Sequence, residues 1–278
     1  MTTFGARVHA GMRARGPLCA GIDPHAGLLH EWGLGDDLAG LERFALTAAE
    51  VLAPRVAVVK PQSAFYERFG SRGIAVLERL IALCREAGAQ VLLDVKRGDI
   101  GSTSQAYADA YLDPASPLAV DAITASPYLG FGSLQPMVET ARKHDAGVFV
   151  LALTSNPEGA EVQEASGVDG TVADTVLDRL RDLNAGVEPL GSFGAVVGAT
   201  INRRDHDLDI NGPVLAPGYG AQGGSNESLR RIFGDGVGRV LPSTSRDLLR
   251  AGPSGLADAA DRLNDQLREL AGWPADRG

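Results

Sequence analysis

The sequence predicts an α/β protein, a single-domain (β/α)8 TIM barrel over residues 1–278 with a short leading helix. Three observations carry that expectation. Short apolar runs alternate with amphipathic stretches along the whole chain, the pattern of a parallel sheet covered by helices. There are eight such runs, and 278 residues suit a barrel of about 250. The glycine-rich turn follows the seventh run, whereas a doubly wound open sheet, the competing architecture, carries its own near the start. No linker or composition break divides the chain.

The elements follow in order. Residues 3–14 read as the leading helix, ended by Gly16-Pro17. Strand one is 18–23, stopped by Pro24. A helix near 37–52 carries Leu38, Leu41, Phe44, Ala45 and Ala48 at helical spacing. Strand two is 56–60, stopped by Pro61. The next helix, near 71–87, has Ile74, Leu77, Leu80, Ile81 and Cys84 as its core stripe and Gly88 as its C-terminal cap. Strand three enters as Val91-Leu92-Leu93, and Ser102 or Thr103 suits the cap of a helix near 103–112. Strands four and five are 119–124 and 147–153, with helices near 133–143 and 169–184. Strand six, 193–199, leads into an Arg- and Asp-rich stretch at 201–212 that reads as a half-formed helix. Strand seven, 213–216, opens into a glycine-rich loop. Strand eight is 238–242, and the last helix lies near 255–271.

Composition narrows the function. The net charge is −9, with no basic run, which argues against nucleic acid or anionic membrane as partner. No stretch approaches the ~18 apolar residues of a membrane span, and the N-terminus lacks a secretory pattern. Cys19 and Cys84 both sit in apolar segments, as reduced thiols of a cytoplasmic protein do. The five histidines show no metal-ligand spacing, so no metal is expected.

Barrel sites are built at the C-terminal ends of the strands. Strand one ends there in Asp23, strand two in Lys60, and strand three in Asp94 and Lys96 with Asp99 just beyond. Strand five ends in Thr154-Ser155, and strand eight is followed by Arg246. Each has a plain structural reading: Asp23 before Pro24 suits a turn, and Lys60 can extend to the rim. Their convergence on one rim favours a site. Alternation puts Leu92, Asp94 and Lys96 on one face of strand three, and Leu93 and Val95 on the other. Charges there must be paired, hydrated or used, because burying them alone costs several kcal/mol.

The loop Pro217-Gly-Tyr-Gly-Ala-Gln222-Gly-Gly-Ser225, with Arg246, suits a phosphate. An alternating array of Lys60, Asp94, Lys96 and Asp99 can stay fully charged without a metal. It suits loss of carbon dioxide followed by protonation of a carbanion. Aldol and isomerase chemistry use similar groups, and spacing does not choose among them.

The run Asp94-Val-Lys96-Arg-Gly-Asp99-Ile100-Gly-Ser-Thr103 resembles the D-x-K-x-x-D-I-x-x-T signature of the orotidine 5′-phosphate decarboxylase family. The likeness extends from Asp23 to Arg246 and is closest to the longer bacterial branch. The resemblance implies a carboxy-lyase that converts orotidine 5′-phosphate to uridine 5′-phosphate with no metal and no organic cofactor. It implies that Lys96 donates the proton to C6 of the pyrimidine, that Asp94 sits against the leaving carboxylate and that Lys60 completes the array. It further implies a homodimer with shared sites, in which Asp99, Ile100 and Thr103 enter the partner's site. Asp23 and Lys60 would hold ribose hydroxyls and Ser155 the pyrimidine amide. The Pro217 loop with Gln222, together with Arg246, would bind phosphate. Tyr219 either reaches the phosphate or packs, and Ser245 stands where many relatives have glycine. Competing readings are a magnesium-dependent sugar-phosphate lyase on the same barrel and a non-catalytic nucleotide-binding barrel.

Overall fold

A computed structural model describes residues 2–167, 170–201 and 206–273. Eight parallel strands close on themselves in sequence order, with β8 pairing back onto β1. They are β1 (Cys19–Ile22), β2 (Val58–Pro61), β3 (Gln90–Arg97), β4 (Ala122–Ala125), β5 (Gly147–Leu153), β6 (Phe193–Val197), β7 (Val214–Pro217) and β8 (Val240–Thr244). The closed barrel excludes the open-sheet alternative.

The helices are α1 (Phe4–Arg15), α2 (Ala26–Glu31), α3 (Leu38–Leu52), α4 (Ala64–Glu67), α5 (Gly70–Glu86) and α6 (Gly101–Leu112). They continue with α7 (Gln135–Lys143), α8 (Ala160–Gln163), α9 (Val172–Asn184), α10 (Asn226–Phe233), α11 (Arg246–Leu249) and α12 (Gly252–Leu270). Helix α10 follows the glycine-rich loop, in a stretch for which the sequence reading gives no helix bounds. Ser225 and Ser228 cap it reciprocally, and Leu229, Ile232 and Phe233 form its buried face. Helix α6 begins at Gly101, so Ser102 and Thr103 are residues of its first turn rather than its cap; Ile100 holds the cap position without a side-chain bond. Strand β8 runs through Pro242 to Thr244 instead of stopping there. Residues 206–212 form no helix, and 202–205 lie outside the described residues.

Two apolar layers follow from strand alternation. One residue from each strand points inward: Cys19, Val58, Leu92, Ala122, Phe149, Val196, Leu215 and Leu241. Helix α1 plugs the barrel floor with Phe4, Val8 and Met12, and the Phe4 ring meets Phe149 edge-on at 6.0 Å. A side chain at Gly147 would collide with the Phe4 ring, so the plug needs glycine there. The outward residues, among them Val91, Leu93 and Val95 of β3, pack beneath the surrounding helices. With the floor closed by α1, the barrel opens at its C-terminal rim.

Candidate active site

Strands β1 to β3 supply their side chains through the same local logic. An apolar run drives the strand into the barrel, and the first polar residue after it, Asp23, Lys60 or Asp94, emerges at the rim. Asp23, Lys60, Asp94, Lys96, Ser155, Pro217, Gln222 and Arg246 all line one cavity of about 490 Å³. Eight of the residues singled out from the sequence therefore do converge.

At the centre is Asp94. Its Oδ2 accepts from Lys60 Nζ at 3.1 Å, and its Oδ1 accepts from Lys96 Nζ at 2.6 Å. Thr124 Oγ1 donates to the same Oδ1 at 2.9 Å. Burial alone would raise the carboxyl's pKa, but Lys60 and then Lys96 overcome it, holding Asp94 well below the usual carboxylate range. Burial likewise pulls Lys60 down, and Asp94 followed by Asp23 more than offsets it, so the ammonium is held above its ordinary value. Both groups therefore stay charged at neutral pH. Lys60 is 5% exposed, whereas the Lys96 side chain is 45% exposed towards the opening. Asp23, buried at the end of β1, accepts from the Gln62 amide at 3.1 Å.

Asp94 and Lys96 share a face, as alternation requires, yet the backbone there is not regular. The β3–β4 register jumps between Leu93 and Arg97: Leu93 pairs with Ile123, and Arg97 with Ala125. Two extra residues of β3 bulge out, and Lys96 takes φ 46°, a left-handed value that costs a non-glycine residue on the order of 1–3 kcal/mol. Such strain persists where the surroundings hold it.

Asp99, Ile100 and Thr103 do not line the cavity. Asp99 Oδ1 accepts from the following amide, that of Ile100, at 2.8 Å, and Ile100 is 63% exposed. Within one chain the charge array thus has three members, not four. The strand-seven loop also differs from a simple amide cradle. Gly218, Gly220 and Gly223 adopt positive φ, and the amides of Gly220, Gly223 and Gly224 bond carbonyls inside the loop. What the loop presents to the cavity includes Ala221 and the Gln222 side chain. Tyr219 lines the cavity and donates its hydroxyl to Asn226 Oδ1 at 2.7 Å.

Sequence reasoning did not single out Thr124 or His25. Thr124 ends an apolar run at the rim, the signal used for the other strands. His25 lines the cavity with its ring 4.2 Å from that of Phe65; it stands two residues past Asp23, at the end of strand one, and the sequence reading weighs it only as a metal ligand.

Comparison with known proteins places this architecture. Residues 16–252 match the model of the Orotidine 5′-phosphate decarboxylase / HUMPS family. A curated orotidine 5′-phosphate decarboxylase of a Nocardioides species is 69% identical over 273 residues, covering 96% of this chain and 100% of that protein. The one from Corynebacterium glutamicum is 46% identical, covering 98% of both. A crystal structure from Streptomyces avermitilis, assigned the same activity, superposes with a TM-score of 0.95 at 59% identity, covering 98% of this chain and 97% of the other. The Leishmania donovani OMP decarboxylase gives 0.74 at 30% identity, covering 97% and 99%.

Proposed function

This chain belongs to the orotidine 5′-phosphate decarboxylase / HUMPS family, and we propose that it is the carboxy-lyase that converts orotidine 5′-phosphate to uridine 5′-phosphate and carbon dioxide. One observation carries the reading: an ionised carboxylate, Asp94, held at the cavity between two ammonium groups. A substrate carboxylate placed beside Asp94 is repelled in the ground state, and that repulsion is relieved as carbon dioxide leaves. The bond from C6 to the carboxyl carbon breaks, and its electron pair stays on C6. Lys96 gives C6 a proton and becomes a neutral amine, which solvent reprotonates. Lys60 is the less exposed of the two ammonium groups and keeps Asp94 charged. With ammonium groups on both oxygens, Asp94 has its counter-ions, and the chemistry needs neither a metal nor an organic cofactor.

The remaining lining residues divide by chemistry. Asp23 and Lys60 hold ribose hydroxyls, Ser155 meets the pyrimidine amide, and Gln222, Arg246 and the Pro217 loop bind the phosphate. Arg246 offers the guanidinium fork that suits a phosphate. Binding energy from the phosphate supports chemistry at the distant ring.

The active form is a homodimer. Asp99, Ile100 and Thr103 face away from their own cavity and complete the partner's. The exposure supports this: beside Ile100, the loop after β4 exposes Tyr128 at 75% and Leu129 at 52%, an apolar strip on the rim. The loops adjoin, because the Ser126 amide donates to the Arg97 carbonyl at 2.8 Å. No helix of the described residues is long and apolar enough to cross a membrane. A cytoplasmic location fits the two buried, unpaired cysteines.

The test follows loss of the ultraviolet absorbance of orotidine 5′-phosphate, with and without a chelator and across serial dilution. We expect turnover that survives the chelator and falls at dilutions where the dimer separates. Absence of turnover defeats the assignment, loss with chelator points to a magnesium-dependent lyase, and constant specific activity through dissociation removes the shared site.

A further inference from the structure

The bulge in β3 creates a problem that the neighbouring strand solves. Where the register jumps, Lys96 has no residue of β4 paired with it. Its amide donates instead to Thr124 Oγ1 at 2.9 Å. The same hydroxyl lies 2.9 Å from Asp94 Oδ1, and Thr124 is only 1% exposed. Bond directions follow from elementary inventory. An amide can only donate, so Thr124 Oγ1 accepts from Lys96; an ionised carboxylate can only accept, so the hydroxyl proton points to Asp94. One hydroxyl therefore ties the main chain of the proton donor to the carboxylate beside it.

Three donors converge on Asp94: Lys60 on one oxygen, Lys96 and Thr124 on the other. The two lysine stems are long and rotamer-rich, whereas the threonine is short, β-branched and stiff at χ1. It is the member best able to fix the plane of the carboxylate. It also bonds the left-handed backbone at Lys96, a conformation that needs outside support.

We propose that Thr124 is a positioning residue of the reaction: its hydroxyl fixes the Asp94 carboxylate and the Lys96 main chain relative to each other, setting the line along which the proton is delivered. The inference rests on the decarboxylase reading. Thr124 acts through Asp94 and Lys96, and its hydroxyl bonds none of the residues assigned to the phosphate, so it serves the chemical step more than substrate capture.

The experiment compares Thr124→Val, which keeps shape and removes the hydroxyl, with Thr124→Ser, which keeps the hydroxyl. A hydrogen bond to a charged group is worth enough that its loss lowers kcat on the order of 10- to 100-fold. We expect that fall in Thr124→Val, with KM for orotidine 5′-phosphate within about threefold of the parent and Thr124→Ser restoring most of kcat. Should Thr124→Val not fold, Thr124→Ala takes its place with the same expected split. The inference is overturned by a kcat in the hydroxyl-less variant within twofold of the parent. Equal loss in the serine and valine variants, or a rise in KM matching the fall in kcat, overturns it as well. Turnover by the parent chain in the same assay separates these outcomes from failure of the decarboxylase reading, which would leave the parent inactive too.

Discussion

Asp94 and Asp121 are equally buried, each 9% exposed, and each pairs with a cation, yet they lie at opposite ends of the barrel and do different things. At the floor, Asp121 Oδ2 accepts from the Val91 amide at 2.9 Å and Oδ1 from Arg7 at 3.1 Å. Arg7 is itself committed: it donates to Gln90 Oε1 and to the carbonyls of Thr2 and Asp145. That network pins α1 under the barrel and leaves little capacity for a ligand. At the rim, Asp94 pairs with an ammonium that carries three donors, and the Lys96 side chain is 45% exposed to a cavity. Burial of the acid does not separate structural from functional charge. The state of its partner does, whether spent on the fold or free to meet something else.

The sharpest way to break the comparison is to remove the free partner. Lys96→Ala should lower kcat by roughly 10²–10⁴-fold or more, the contribution expected of a positioned general acid. Uridine 5′-phosphate should still bind, which calorimetry reads directly. Near-parent turnover would put Lys96 in the same class as Arg7. Next in size is the phosphate end of the cavity. Arg246→Ala should raise KM on the order of 10- to 100-fold, the worth of a charge-assisted hydrogen bond, with a smaller fall in kcat. A saturation curve identical to the parent's would show that Arg246 faces solvent and not the phosphate.

The legible part of this protein was what periodicity controls. Alternation placed Leu92 in the barrel and Asp94 at its mouth, and the rule of strand ends gathered Asp23, Lys60, Ser155 and Arg246 at one cavity. What periodicity does not control stayed hidden. Thr124 carries the strand-end signal, but its role comes from a register jump, a relation between two strands that neither strand encodes alone. Helix α10 is short and begins with polar residues, so its three buried side chains give too little stripe to distinguish from a loop. Asp99, Ile100 and Thr103 could be assigned a place only through family resemblance, and they do not line the cavity of their own chain.

The smallest effect sharpens the comparison from its other side. Arg7→Ala breaks the floor pair and leaves Asp121 with its backbone donor. The arginine side chain is 30% exposed and solvent screens part of the interaction, so the cost is about 1–2 kcal/mol. In a chain of this size that lowers Tm by roughly 2–8 °C. Arg7 and Asp121 lie across the barrel from the cavity and neither lines it, so kcat and KM should stay within about twofold. Thermal melts and saturation kinetics on the same preparation separate the two quantities. A substantial loss of kcat in a variant that melts like the parent would mean that the floor charges communicate with the rim. The division between spent and free partners would then need a term for the strand that joins them, because Val91 and Asp94 belong to the same β3.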